Sequence, residues 1–387
     1  MSALPARSEV VVVGGGIVGL AVAYELARRG REVLVLDRDD IAGAATRAAA
    51  GMLAPTSEAD LADRSVVDLE LDSLGRYPGF VAGIEALSGQ SCGHRTEGTL
   101  WIALNRDQDV DLDRLVSMQR VKGLTARRLS PEAVLAREPH VSGRIVGGLL
   151  AEEDHQVDPR ALSAALTTAL TRLHGRVAAG CRATRVEHGA GRVEAVSGVA
   201  GEVAFRIAAD VVVLAAGAWS EDVDAPLPPL WLRPVKGQLV RLVGPELVTH
   251  VVRSPDVYLV PRRGGELLVG ATMEEQGFDA LPTAGAVLDL LREAWRILPG
   301  VYDLAVRELS VGFRPAVRDH RPLIGATATR GLFVATGHFR NGVLLAPATA
   351  HYLAECISGG VVPAALLPFA IERLEAPSTT VSGAGRR

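Results

Sequence analysis

The sequence has little that would mark it for nucleic acid, metal or membrane. Its three cysteines, Cys92, Cys181 and Cys356, are scattered over 387 residues at neither metal-ligand nor disulfide spacing. The 41 lysines and arginines are outnumbered by 45 aspartates and glutamates, a net charge of −4, so there is no basic field to attract a polynucleotide. The uncharged stretch Val10–Tyr24 is too short to span a bilayer and carries three consecutive glycines. Met1–Glu9 holds one Arg and one Glu, so it lacks the cationic start of a secretory signal. Aromatic residues make up only 4% of the chain, so few are available to wall a pocket. There are no internal repeats. The expectation is a reduced, cytoplasmic, metal-free protein with no nucleic-acid or membrane partner.

What is present suits a large α/β protein. Apolar residues reach 48% and charged residues 22%, ordinary values for a sizeable core. The chain length allows two domains, or one α/β unit with an insertion. Glu9–Val13 reads as a strand buried on both faces, and Val18–Arg29 as a helix closed by Gly30. Glu32–Leu36 reads as a second strand ending at Asp37. Ala42–Pro55 is rich in Ala, Gly and Thr, which suits close backbone approach to a ligand. Further along, TLWIAL reads as a strand, with helices at Asp111–Val121 and Ser130–Arg137. VDPRALSAALTTALTRL reads as a long amphipathic helix with Pro159 near its start. Asp210–Ala216 and Leu332–Thr336 are apolar parallel-type strands. Between them GQLVRL, VYLVP and ELLVGA alternate with turns, and Ala284–Leu298 is helical. A final helix runs to about Ile357, and 376–387 reads as a disordered tail.

Parallel-type strands at the beginning, middle and end bracket antiparallel-looking material. The fold expected is α/β: a Rossmann-like nucleotide-binding domain with an inserted α+β, mainly antiparallel-sheet substrate domain. The first domain is expected to comprise 1–90, 151–225 and 314–375, and the second 91–150 and 226–313.

Gly14, Gly16 and Gly19 form G-x-G-x-x-G directly after a strand and open a helix through Ile17 and Val18. The first glycine makes the turn, the second admits a pyrophosphate to backbone N–H groups, and the third allows close helix–sheet packing. Asp37, at the end of the second strand, can accept from ribose hydroxyls and would repel a 2′-phosphate. A loop that merely packs is the bland alternative, but strand, helix and acid together favour a dinucleotide. The motif alone does not separate NAD from FAD.

VVVGGGIVGLAVAYELARRG, ATRAAAGMLAP, LRPVKGQLVRL, YLVPR, VGATME, GFRPAVRDHRPLIG and GHFRNGVLLAPATA occur in that order. Together they resemble the D-amino-acid-oxidase-like superfamily of FAD enzymes, and within it the glycine oxidases of the thiamine-thiazole pathway. The resemblance runs from about Val10 to Cys356. It implies a noncovalent FAD held through Gly14–Gly19 and Asp37. Thr46, Ala50, Gly51 and Met52 would pass along the flavin ring, and Ala183 would contact the cofactor by its backbone. The turn at Gly217 closes a second FAD-contacting strand. His338, Arg340, Asn341, Gly342 and Val343 would lie at the pyrimidine end of the flavin, where N–H groups at a helix start can stabilise negative charge.

The same resemblance implies a small amino-acid substrate, with O2 as oxidant. Arginine is the best receptor for a carboxylate because its planar fork meets both oxygens. Arg314 and Arg340 would converge on that carboxylate, and Tyr258 would donate its hydroxyl to it. Interdomain ion pairs and a core tyrosine are the plain alternatives. Met52 and Met273 would wall the pocket and favour glycine over larger amines, although methionines often only fill gaps. His338 is not needed as a base if the amine arrives neutral. The products would be an imine or glyoxylate, ammonia and hydrogen peroxide. Relatives further imply a homo-oligomer, a homotetramer, and a link to a thiazole synthase. The rivals are a sarcosine oxidase or D-amino-acid dehydrogenase, and a flavin-binding protein that hands on an imine without turning over by itself.

Overall fold

A computed structural model describes residues 4–58, 63–121 and 123–374. The expected tail at 376–387 lies outside the described residues.

The chain opens with β1 (Arg7–Val13), α1 (Ile17–Arg28) and β2 (Val33–Leu36). The β-branched residues of β1 and β2 are buried on both faces, so they can stand only inside a sheet covered on each side. α2 (Arg64–Ser88) follows, then β3 (Thr99–Ala103), α3 (Arg106–Val121) and α4 (Pro159–Arg172). β4 is Val203–Leu214, and β5 (Arg233–Val243), β6 (Val251–Arg253), β7 (Tyr258–Arg262) and β8 (Glu266–Gly270) come next. α5 (Ala284–Ile297), β9 (Ala305–Ala316), β10 (Leu332–Thr336) and α6 (Gly342–Gly359) complete the set.

Two eight-stranded sheets organise the molecule. In the first, β10, β4, β1 and β2 lie side by side in parallel, with residues 176–178 beyond β2. A hairpin, Cys181–Gly189 and Arg192–Ala200, adds antiparallel strands to β4, and Leu323–Ala326 pairs antiparallel with β10. The second sheet runs β9, β5, β8, β7, β6, β3 and then 147–151 and 127–129. Its pairs are antiparallel except β6 with β3. This is the α/β architecture expected, a doubly covered parallel sheet joined to a mainly antiparallel one. The expected domain boundary between 313 and 314 falls inside β9.

Three local differences have physical causes. α2 was not foreseen because Pro78 and Gly75, Gly79 and Gly83 interrupt its sequence. It forms because Val66, Leu69, Tyr77, Val81 and Ile84 bury one stripe in the main core. α3 begins at Arg106 rather than Asp111, because the Asn105 side chain accepts from the Gln108 N–H at 2.9 Å and caps it. β4 starts at Val203 and stops at Leu214, extended backward by its hairpin.

Candidate active site

The carboxyl end of the first sheet meets one face of the second, and a cavity of about 760 Å³ lies between them. At one end is the turn from β1 into α1. Gly14 has φ +113°, and a Cβ there would stand 2.3 Å from the Ala215 carbonyl oxygen. A Cβ on Gly19 would stand 2.0 Å from the Gly14 carbonyl, so Gly14 and Gly19 serve the packing of helix on strand. Gly16 differs: its nearest neighbour is Thr46 Oγ1 at 3.5 Å, and it faces the cavity. The N-cap residue of α1, Gly16, brings no side chain to the helix start, and the first turn has no acidic residue. The positive end of the helix is therefore directed at whatever occupies the cavity.

Asp37 accepts from the Gly15 N–H at 2.7 Å and from the Asp39 N–H at 3.0 Å. Burial raises its pKa, and these two donors act against that rise. The Ile17 N–H is met by Thr46 Oγ1 at 3.0 Å, which draws the small-residue segment onto the helix start. Gly51, at φ +75°, approaches so closely that a Cβ would lie 2.0 Å from the Val157 carbonyl. Arg262 in β7 holds the same segment, donating from Nη2 to the carbonyls of Ala50 and Val157. Its burial pushes the guanidinium pKa down to about 10, still cationic near neutrality. Arg262 was quoted in the YLVPR run but its positioning role was not read. A buried Arg after Val-Pro was the available signal.

Arg314 is half-buried in β9 and donates from Nη1 to the Thr272 carbonyl at 3.0 Å. Its guanidinium lies over Gly237, where a Cβ would come within 2.5 Å of Nη1. Tyr258 likewise lies over Gly270, where a Cβ would meet the ring and hydroxyl at 2.6 Å. These two strand glycines were passed over in the sequence, although glycine inside a strand pattern often marks such close approach. An isolated bridge from Ala316 to His338 brings the 337–343 turn against the end of β9. Arg314, Arg340, Tyr258, Met52 and Met273 therefore line the same cavity as Gly14, Gly16, Ile17, Val18 and Asp37. Thr46, Ala50, Gly51, Ala183, Gly217, His338, Gly342 and Val343 line it too.

Two of the expected residues do not line the cavity. Gly19 is spent on packing, and Asn341 turns its amide onto Glu70 of α2. Met273 lies at the open mouth, 61% exposed, so it is less a wall than an edge. His338 is buried, its Nε2 lies 3.0 Å from Thr349 Oγ1, and burial pushes its pKa down to about 3. It is a neutral imidazole. Trp101, Trp219 and Arg253 also line the cavity and were not singled out: Trp219 follows the Gly217 turn, and the strands of Trp101 and Arg253 carry no motif.

The residues fit a flavin dinucleotide. A glycine whose Cβ would meet only ordinary contact opens onto the helix start, a carboxylate stands beside it, and the cavity leads from there to two arginines. Residues 9–356 match the family described as FAD dependent oxidoreductase. The bifunctional protein ThiO/ThiG of Trichormus variabilis is 36% identical over 355 residues, 90% of this chain and 52% of that protein. This chain thus spans about half the length of its bifunctional relatives. The glycine oxidase of Geobacillus kaustophilus is 32% identical, covering 95% of this chain and 97% of that protein. A crystal structure of glycine oxidase from that organism is similar with TM-score 0.88 at 30% identity, over 95% of this chain and 99% of that one. The glycine oxidase structure from Bacillus cereus has TM-score 0.85 at 26% identity, covering 94% and 98%. The chain belongs to the FAD dependent oxidoreductase family, and FAD is its cofactor.

Proposed function

We propose that this chain oxidises glycine, together with sarcosine or small D-amino acids, with dioxygen as the electron acceptor. The observation that carries this reading is that Arg314, Arg340 and Tyr258 line one cavity with the helix start and Asp37. The names of the relatives support the substrate, and the bifunctional name supports a thiazole synthase as a partner. The site residues and the domain division expected from the sequence are part of the same proposal, as are a cytoplasmic location and a homo-oligomer such as a tetramer.

Bound FAD supplies the two-electron acceptor for oxidation of the C–N bond. The chain's own residues do the rest. Arg314 is anchored by Nη1 on a backbone carbonyl, which aims the remainder of its fork at a carboxylate. Arg340 and Tyr258 complete the grip, so the small acid is held in one orientation. Two guanidinium charges near the amine disfavour its protonated form, which delivers the neutral amine the reaction needs. His338 is a poor base here, since burial holds its pKa down at about 3 and its Nε2 faces Thr349. The imine released is hydrolysed by water to glyoxylate and ammonia, or handed on intact.

The test is a panel of glycine, sarcosine, D-alanine and D-proline with coupled peroxide detection on the purified yellow protein. Glycine turnover with peroxide release is expected. Arg314→Ala should raise KM for glycine by about 100-fold or more while leaving the FAD absorbance unchanged. An unchanged KM would remove Arg314 from the substrate, and absence of turnover with every amine would overturn the oxidase reading.

A further inference from the structure

Lysine is almost absent from the sequence. Lys122 and Lys236 are the only two, and arginine makes up the rest of the 41 lysines and arginines. Lys236, in β5, is nonetheless fully buried, at 0% exposure. A buried ammonium is costly unless its N–H groups are met. Here Nζ donates to the Leu281 carbonyl at 2.8 Å, to Asp279 Oδ2 at 3.0 Å and to Gln276 Oε1 at 3.1 Å. Three acceptors around one nitrogen suit an ammonium, whereas a guanidinium presents its donors in one plane. That is a physical reason for a lysine here in a chain that otherwise uses arginine.

All three acceptors belong to the connection from β8 to α5, residues 271–283. The same connection begins at the substrate clamp. The Thr272 carbonyl accepts from Arg314 Nη1 at 3.0 Å, and the Lys236 carbonyl lies 3.5 Å from the same nitrogen. Glu274 then exchanges both backbone hydrogen bonds with Lys236, each at 2.9 Å. Side chains alternate across a strand, so Lys236 points away from the face on which Arg314 lies over Gly237. The connection thus starts at the clamp and is held from behind the strand by the ammonium. Phe278, between two of the anchored residues, stacks on Trp219 with centroids 5.0 Å apart. It also meets Phe313, the register partner of Lys236, edge-on at 5.3 Å. Gln238 secures the two ends: its N–H donates to Thr272 Oγ1 at 2.9 Å, and its Oε1 accepts from the Thr283 N–H at 2.8 Å. Lys236 secures the middle.

We infer that Lys236 is a positioning residue for the substrate carboxylate: by fastening the 271–283 connection from behind β5, it fixes the Thr272 carbonyl on which Arg314 is aimed. The inference rests on the reading that Arg314 holds that carboxylate. In Lys236→Met a side chain of similar length remains, but the three acceptors lose their donor and must turn to water. The connection then lifts at its middle, and the carbonyl that orients Nη1 is no longer fixed. The fork still meets the acid, over a wider range of orientations. That loss is shared by ground and transition states, so it falls on KM rather than kcat.

The experiment is a double-mutant cycle on the FAD-loaded protein: wild type, Lys236→Met, Arg314→Ala and the two combined. KM and kcat are measured for glycine. Acetate binding, followed by its perturbation of the flavin absorbance, gives a readout that needs no turnover. Lys236→Met should raise KM for glycine and Kd for acetate by about tenfold, with kcat within about threefold of the wild type. In the Arg314→Ala background the same change should move KM by less than about twofold, because no fork is left to aim. An equal rise in both backgrounds would make Lys236 a general stabiliser, and the inference falls. It falls too if Lys236→Met keeps the wild-type KM and Kd. Should that variant fail to hold FAD, Asp279→Ala, at the half-exposed end of the contact, goes through the same cycle. A rise of about threefold that disappears with Arg314→Ala is then expected, and Asp279→Asn, which keeps an acceptor, should reverse it. No rise, or one independent of Arg314, overturns the inference. A protein that oxidises no amine yet shows the coupled loss of acetate affinity would keep the inference and sink the oxidase reading instead.

Discussion

Each glycine of the phosphate-binding turn can be given its own role, because a hypothetical Cβ meets different neighbours at each. A methyl on Gly14 would collide with the Ala215 carbonyl at 2.3 Å in a backbone already at φ +113°. Gly14→Ala should therefore cost the apoprotein about 2–5 kcal/mol before any cofactor is considered. Gly16 has φ −71°, and its nearest neighbour at 3.5 Å is ordinary contact. Gly16→Ala should leave apoprotein stability within about 1 kcal/mol and weaken FAD by roughly tenfold or more, because the methyl occupies the approach to the helix start. Urea unfolding of the apoproteins and FAD titration by fluorescence measure the two effects separately. If Gly16→Ala unfolds the chain as Gly14→Ala does, this division of labour is wrong. The motif's spacing was readable in the sequence. Which glycine packs and which faces the ligand was readable too, but the neighbours that enforce those roles, Ala215 and Thr46, were not, because they lie far along the chain.

Among the helices, α6 shows how an apparent defect is repaired from elsewhere. Pro347 sits within it and brings no N–H to the Val343 carbonyl. Tyr77 of α2 donates its hydroxyl to that carbonyl at 2.6 Å. Ser73, one turn away on α2, donates to the Leu344 carbonyl at 2.6 Å and accepts from the Ala348 N–H at 3.1 Å. Two side chains of one helix thus complete the backbone of another whose start lines the cavity. Tyr77→Phe strands the buried Val343 carbonyl, so a loss of about 1–3 kcal/mol is expected in urea unfolding. A variant as stable as the wild type would show that the carbonyl finds another donor. The final strand and helix were legible from their apolar run and motif. α2 was not, since Pro78 and three glycines defeat local propensity and only burial against the main core restores the helix.

For the whole molecule, three buried or paired groups set the response to acid. Burial pushes His338 down to about 3, so below about pH 6.5 the unfolded chain takes up a proton the folded one refuses. That lowers stability as pH falls, by about 1.4 kcal/mol per pH unit. Asp154 acts the other way: burial pushes it up to about 6, with Ser57 and Thr56 as its donors, so its contribution is present at low pH and lost as pH rises through about 6. Glu308 is pulled down to about 2, chiefly by the fork of Arg160 at 2.8 and 2.9 Å, so its contribution is lost as pH falls towards about 2. Asp154 and His338 should therefore offset each other between about pH 6 and 4, and stability should drop steeply below about 4. In Asp154→Asn the decline should begin already below about pH 6, read as the urea midpoint against pH at fixed FAD. A curve superimposing on the wild type would mean that Asp154 does not hold the proton.

By itself the sequence determined the nucleotide-binding turn, the acid after the second strand and the family-like motifs that carry the two arginines. These are local patterns, set by backbone geometry and by neighbours a few residues away. Only the tertiary structure decided that Gly237 and Gly270 make room for Arg314 and Tyr258, that Arg262 pins the Ala50 segment, and that Arg253 lies beside Tyr258. Strand order and register create those contacts, and they join residues whose separation along the chain hides their proximity.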